Sequence, residues 1–297
     1  SIGGWDAELT KNDDGDLIYR ALMRNPGLAV SAGGIGIYTQ NIDPNRITRR
    51  FDEKAIVSEI TVLRRVQAFI KDTGLDAARD LVFVPTGWDW GNEGQAERAI
   101  DLWQKRGFKR VTILHTNFRS EANDPTFVKP LTTATAVYFR GGDQTRLIQI
   151  YKGTLVEKEL HRLLDRGGAV AGSSAGSMVM SRVTITRAND PVPVREGFGI
   201  LSHVIVDSHF LKRNRIDRLH DVLGEQPGYV GLGVDEGTAA IIEGTSLRVV
   251  GRSMAVVCQL GVPEYRSRSQ ILNPGDSTEL RELTQTALDR SIKSQAK

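Results

Sequence analysis

Short apolar runs alternate along this chain with longer stretches whose apolar residues recur every three or four positions. The first pattern is that of strands covered on both faces, the second that of amphipathic helices. Strands are predicted at 81–84, 111–114, 136–139, 169–171 and 204–206, with a weak earlier one at 28–31. Helices are predicted at 53–71, where Ile56, Ile60, Leu63, Val66 and Ile70 share a face, and at 93–105, 143–151, 155–164 and 214–223. Residues 230–260 read as several strands with turns at Glu236-Gly237, Gly244 and Gly251-Arg252. Strand alternating with helix implies an α/β fold with a mostly parallel sheet and helices on both faces. The chain, 1–297, reads as a single α/β domain with an irregular N-terminal segment (1–52) and a C-terminal tail (261–297).

In open α/β sheets, ligands bind beyond the carboxyl ends of the strands. Several of those ends carry polar or glycine-rich sequence: Trp88-Asp89-Trp90, Gly141-Gly142-Asp143-Gln144, residues 172–176, and Asp207-Ser208-His209. They are expected to converge on one crevice. Gly172-Ser173-Ser174-Ala175-Gly176 fits Gly-x-Ser-x-Gly directly after a predicted strand and before a short helix through Met180. That motif makes a sharp turn that lifts a serine hydroxyl above the sheet, and small flanking residues permit it. The free N–H groups at the start of the helix favour a negative oxygen, so the Ala175 N–H is a candidate oxyanion donor.

A serine hydroxyl needs a base to accept its proton. Of the five histidines, His161 and His220 fall inside helical runs and His203 precedes a strand. His115 and His209 sit at strand ends on the functional side, and His209, flanked by Asp207 and Phe210, is the better base by local context. A carboxylate must then orient the imidazole. Asp235 and Glu236 end a predicted strand and qualify; Asp190 and Glu196, in the loop after the elbow helix, compete with them.

Composition narrows the alternatives. Apolar residues are 40% and charged residues 25%, as in ordinary globular proteins. A net charge of +3 from 39 basic and 36 acidic side chains is no nucleic-acid footprint, although a basic cluster stands at residues 212–218. The lone Cys258 lies in an apolar run and reads as a small buried hydrophobe. No stretch approaches the ~18 uncharged apolar residues of a membrane span. The expectation is a soluble protein, cytoplasmic rather than secreted after signal-peptide removal, with no membrane and no nucleic-acid partner. Gly33-Gly34-Ile35-Gly36 has Thr39 where a dinucleotide fingerprint needs its third glycine, and His-Glu-x-x-His is absent.

Four motifs in order carry a family resemblance. Gly141-Gly142-Asp143-Gln144, the Gly-Ser-Ser-Ala-Gly bend, the run from Asp207-Ser208-His209-Phe210 to Arg213-Asn214-Arg215-Ile216-Asp217-Arg218-Leu219, and Gly231-Leu232-Gly233-Val234-Asp235-Glu236 together resemble cyanophycinase. The resemblance covers roughly residues 56–260. It implies a serine peptidase with the class I glutamine amidotransferase-like (flavodoxin-like) fold, its nucleophile elbow following a central strand. It implies Ser174 as nucleophile, His209 as base and Glu236 as the orienting carboxylate. Ala175 would share the oxyanion hole with Gly142 and Asp143. Gln144, Asp207, Ser208, Arg213, Arg215 and Arg218 would bind substrate, and Arg215 and Arg218 share a helix face independently of the resemblance. The implied reaction is release of β-aspartyl-arginine dipeptides from cyanophycin, a poly-aspartate bearing arginine side groups, through an acyl-enzyme. No metal or organic cofactor is implied, and a homodimer is. Ser208 stands where many of these enzymes have glutamine, and Ser177 where alanine is common. The alternatives are a peptidase for small aspartyl or isoaspartyl peptides and a non-catalytic binding protein of the same fold.

Overall fold

The computed structural model describes residues 80–88, 94–105, 107–186, 192–260 and 268–295. The expected irregular segment at 1–52, the strand at 28–31, the helix at 53–71, Asp89, Trp90 and Asp190 lie outside the described residues. The first half alternates β1 (Asp80–Val84), α1 (Gln95–Gln104), β2 (Arg110–Ile113), α2 (Pro125–Thr133), β3 (Ala136–Phe139), α3 (Gln144–Tyr151), α4 (Leu155–Asp165) and β4 (Ala169–Gly172). The four strands form a parallel sheet in the order β2-β1-β3-β4. Side chains alternate between its faces. Val82, Val84, Val137 and Phe139 enter one core with Leu131, Leu147, Leu160 and Leu163 from α2, α3 and α4. Leu81, Phe83 and Tyr138 enter the opposite core with Trp103 of α1. This double coverage is why the strands read as uninterrupted apolar runs.

Helix α2 escapes a sequence reading because two prolines, Pro125 and Pro130, look like breakers. Pro125 occupies the first turn, where no N–H is lost, and Asp124 caps it by accepting from the Thr126 N–H at 2.7 Å.

After β4 come the four-residue α5 (Ala175–Met178), the hairpin β5 (Val183–Ile185) and β6 (Val194–Glu196), then β7 (Val204–Ser208), α6 (Ile216–Glu225) and β8 (Val230–Val234). Next are β9 (Thr238–Glu243), β10 (Ser246–Gly251), β11 (Ala255–Gln259), β12 (Arg268–Leu272), β13 (Ser277–Glu279) and α7 (Leu280–Gln295). A second four-stranded sheet runs β12-β11-β8-β7, parallel at β7–β8 and antiparallel beyond. A third sheet is β13-β10-β9. Of the residues expected as a tail, those at 268–287 are built in: β12 pairs with β11, β13 with β10, and Leu280, Leu283 and Ala287 join the core of the second sheet. The fold is α/β, with a parallel first sheet flanked by helices, as expected.

Strand β4 ends the first sheet and β7 ends the second. Helix α5 packs on both. Ser181, which follows it, accepts the Val206 N–H on its Oγ at 2.9 Å. The bend after β4 thus stands between the two sheets, next to the carboxyl end of β7. Among the described residues no helix is long and apolar enough to cross a membrane.

Candidate active site

The bend is built by close backbone approach. The Ser173 N–H donates to Phe139 O at 3.0 Å, continuing the β3–β4 ladder one residue past the strand. Ser174 then takes φ 50° and ψ −121°, outside the regions an L-residue prefers. The chain reverses into α5 through Gly176 N–H to Ser173 O at 2.9 Å and Ser177 N–H to Ser174 O at 3.0 Å. A Cβ on Gly176 would lie 2.3 Å from Phe139 O, so only glycine lets α5 rest on β3. Helix α5 stops at Met178, short of the expected Met180. With so little helix behind it, the bend can offer an anion the Ala175 N–H but little macrodipole.

His209 follows β7 at φ 52°. Buried Phe210 anchors it, packing so closely on Gly233 that a Cβ there would sit 2.2 Å from the ring. The turn closes through Arg213 N–H to His209 O at 3.0 Å and Arg215 N–H to Phe210 O at 2.9 Å. In this position the imidazole Nε2 is 2.9 Å from Ser174 Oγ, and Nδ1 is 2.9 Å from Glu236 Oε1. Burial works against a charged Glu236. Hydrogen bonds from His209 and Lys212, and their positive charge, outweigh it and hold the carboxyl down at about 2. An ionised carboxylate only accepts, so Nδ1 carries the imidazole proton and Nε2 accepts from the Ser174 hydroxyl. Lys212 Nζ lies 3.0 Å from Glu236 Oε2.

Among the described residues, the competing carboxylates are engaged elsewhere. Asp235 accepts from the Lys212 N–H at 3.0 Å and from Ser253 Oγ at 2.8 Å. Glu196 pairs with Lys152 at 3.2 Å. His115 bonds Thr86 Oγ1 through Nδ1 at 3.0 Å, and Thr86 also bonds the Tyr151 hydroxyl at 2.6 Å.

The Gly141-Gly142 turn lies against the bend: a Cβ on Gly141 would be 2.9 Å from Ser174 Cβ. Gly142, at φ 141°, passes so close to Gly87 that a Cβ would reach 2.0 Å from its carbonyl oxygen. Asp143 corrects one expectation. Its N–H donates to Gly87 O at 2.6 Å, and its carboxylate caps α3 by accepting from Thr145 N–H at 2.7 Å. The Asp143 amide is therefore spent on the fold. Trp88, next to this turn, has the Arg140 guanidinium over its ring at 5.4 Å from the centroid.

A strained serine after a parallel strand, an imidazole and an ionised carboxylate in line are the groups that nucleophilic hydrolysis requires. The model of peptidase family S51 matches residues 56–250 of the chain. This chain belongs to peptidase family S51. The S51 chain is 30% identical over 205 residues to a cyanophycinase of Synechococcus elongatus, covering 61% of this chain and 64% of the relative. It is 33% identical over 170 residues to a cyanophycinase of a Nostoc species, covering 54% and 57%. It thus spans less than two thirds of the length of these relatives. Among solved structures, a peptidase from an acI-B1 Actinobacterium superposes with a TM-score of 0.56 at 25% identity, covering 75% of this chain and 91% of that one.

In this S51 family member most residues expected to hold substrate make contacts within the fold. Asp207 is fully buried; its Oδ1 accepts from Arg215 NH1 at 3.0 Å, its Oδ2 from Arg218 Nε at 2.9 Å, and Arg218 NH2 also reaches Oδ1. Arg215 further donates to Ser208 O at 2.6 Å. Burial pulls Arg215 down to about 10, against the upward pull of Asp207. Ser208 is buried with its Oγ 3.3 Å from Met178 Sδ. The Gln144 amide donates to Ile185 O at 3.0 Å and Thr186 O at 2.8 Å, tying α3 to the end of β5. These five side chains brace the site; Arg213 alone of the six is exposed, on the turn after His209. Among the described residues no group of His, Cys, Asp and Glu is placed to hold a metal ion.

Proposed function

We propose that this S51 peptidase is a serine-type hydrolase that cleaves an amide beside a β-aspartyl-arginine unit, as in cyanophycin. The observation that carries the reading is the line from Ser174 Oγ to His209 Nε2 and from His209 Nδ1 to Glu236 Oε1, 2.9 Å at each step. His209 takes the hydroxyl proton as Ser174 Oγ attacks the substrate carbonyl carbon. The negative oxygen is held by the N–H groups of Ala175 and Gly142, with Asp143 no longer counted. The tetrahedral adduct collapses, the C–N bond breaks, and the imidazolium gives its proton to the leaving amine. Water, deprotonated by His209, then attacks the ester and frees Ser174. The names of the relatives support the substrate class.

A second reading, hydrolysis of small β-aspartyl peptides, is favoured by one observation: Asp207, Arg215 and Arg218 are spent on one another, which leaves fewer charged contacts for a long zwitterionic polymer. Incubation with purified cyanophycin, followed by mass spectrometry, is expected to yield the β-linked aspartyl-arginine dipeptide. Release from short β-aspartyl dipeptides but not from the polymer transfers the assignment to the second reading. No hydrolysis of either, with no labelling of Ser174 by a fluorophosphonate, refutes the serine hydrolase.

The pH profile follows from the charges. Glu236 stays ionised down to about 2. The acid limb of kcat/KM therefore reports one proton, taken up by the imidazole, and is expected to have unit slope. A limb of slope two in the range of ordinary carboxylates, ~4, would mean that Glu236 titrates there and is not held.

A further inference from the structure

Glu236 is only half-buried for a residue that orients a catalytic base. Its side chain is 37% exposed, and several rotatable bonds separate its carboxylate from the backbone. His209 holds only Oε1. The other oxygen is held by Lys212, whose Nζ lies 3.0 Å from Oε2. Lys212 belongs to the turn that carries His209. Its backbone N–H also donates to Asp235 Oδ1 at 3.0 Å, and Asp235 Oδ2 is fixed by Ser253 Oγ at 2.8 Å. One residue thus joins the turn after β7 to the turn after β8 twice, by backbone to Asp235 and by ammonium to Glu236.

We propose that Lys212 is a positioning residue of the active site: it locks the Glu236 carboxylate in the rotamer that faces His209 and tempers that carboxylate's pull on the imidazole proton. The inference rests on the reading of Ser174, His209 and Glu236 as the catalytic array. It gives Lys212, a member of the basic cluster at 212–218, a role inside the fold.

The electrostatic half has a definite sign. Around the imidazole stand Ser174 from the bend, Glu236 and Asp235 from the end of β8, and Lys212 and Arg213 from its own turn. Arg252, from the turn after β10, lies over Gly237 with its Nε 3.6 Å from where a Cβ would be. Asp207 with Arg215 and Arg218 lies beneath. The charges that bear on Glu236 are those of Lys212 and His209. Removing the ammonium leaves the carboxylate's charge unopposed, which favours the imidazolium. The base is then lost at a higher pH than in the wild type. Lys212 is 36% exposed, so solvent screens the effect without changing its sign. The orientational half lowers turnover, because a freed Glu236 spends less time facing the ring.

The test is a titration of the His209 ring by NMR in histidine-labelled protein, with His209→Gln to assign its signal. It compares wild type, Lys212→Met and Lys212→Arg, and the pH dependence of Ser174 labelling by a fluorophosphonate is followed in the same proteins. Lys212→Met is expected to move the imidazole titration to higher pH and to slow labelling several-fold. Lys212→Arg, which keeps charge and reach, is expected to track wild type. A Lys212→Met titration that superimposes on wild type overturns the proposal. The titration needs no turnover, so failure to label Ser174 in the wild type would count against the hydrolase reading, while the role of Lys212 would still be decided by the titration.

Discussion

Replacing Ser174 with alanine removes hydrolysis, with an expected loss of at least about 10⁴-fold in kcat and little change in KM. The substitution deletes one oxygen and nothing else. Alanine keeps the Cβ, so the cost of φ 50° at this position is unchanged, and no hydrogen bond that builds the bend uses Ser174 Oγ. Those bonds run through backbone groups and through Ser177 Oγ, which donates to Ser174 O at 2.7 Å. The neighbouring hydroxyl cannot substitute: Ser173 Oγ accepts from the Gly141 N–H at 3.2 Å, bracing the bend against the Gly141-Gly142 turn. Ser173→Ala is accordingly expected to act mildly. A circular dichroism spectrum and melt like those of wild type, with product formation at background, is the predicted outcome for Ser174→Ala. Wild-type rates in that variant would place the nucleophile elsewhere.

The parallel half of the fold was legible because of its burial. A strand covered on both faces has no polar side chain to break its run, so β3 was bounded at Ala136 and Phe139 from the sequence. The elements that escaped obey local rules of a different kind. Pro125 and Pro130 in α2 mimic a loop. Strand β12 is mostly solvent-exposed, so Arg268, Ser269 and Gln270 show no apolar run, and its place in the sheet is set by pairing with β11.

The site divides in the same way. Ser174 and His209 announce themselves locally, each at the end of an apolar strand with the residues of a tight turn around it. Glu236 and Asp235 were indistinguishable by position; Ser253 and the Lys212 N–H decide between them, and neither contact is visible in a linear pattern. Helical spacing put Arg215 and Arg218 on one face but could not say what that face meets. It meets Asp207, on the strand beneath. Lys212 was concealed within the same basic cluster, because its partner lies on another loop.

That buried cluster carries the second large effect. Asp207 is 0% exposed, and Arg215 and Arg218 are 15% and 11% exposed, so three charges share a space with little water. Removing the anion alone strands two guanidinium groups there. Asp207→Ala is expected to cost about 3–5 kcal/mol, read as a lower midpoint in urea. Replacing all three charges is expected to behave differently, since a buried ion cluster contributes little net stability beyond an apolar one of similar volume. Asp207→Leu with Arg215→Met and Arg218→Met should recover most of the lost stability. It should not recover turnover. Arg215 holds the Ser208 carbonyl at 2.6 Å, one residue before His209, and methionine cannot donate that bond. A stable triple variant with reduced kcat and an ordinary KM assigns these arginines to holding the His209 turn. An unchanged kcat with a raised KM would instead return them to the substrate.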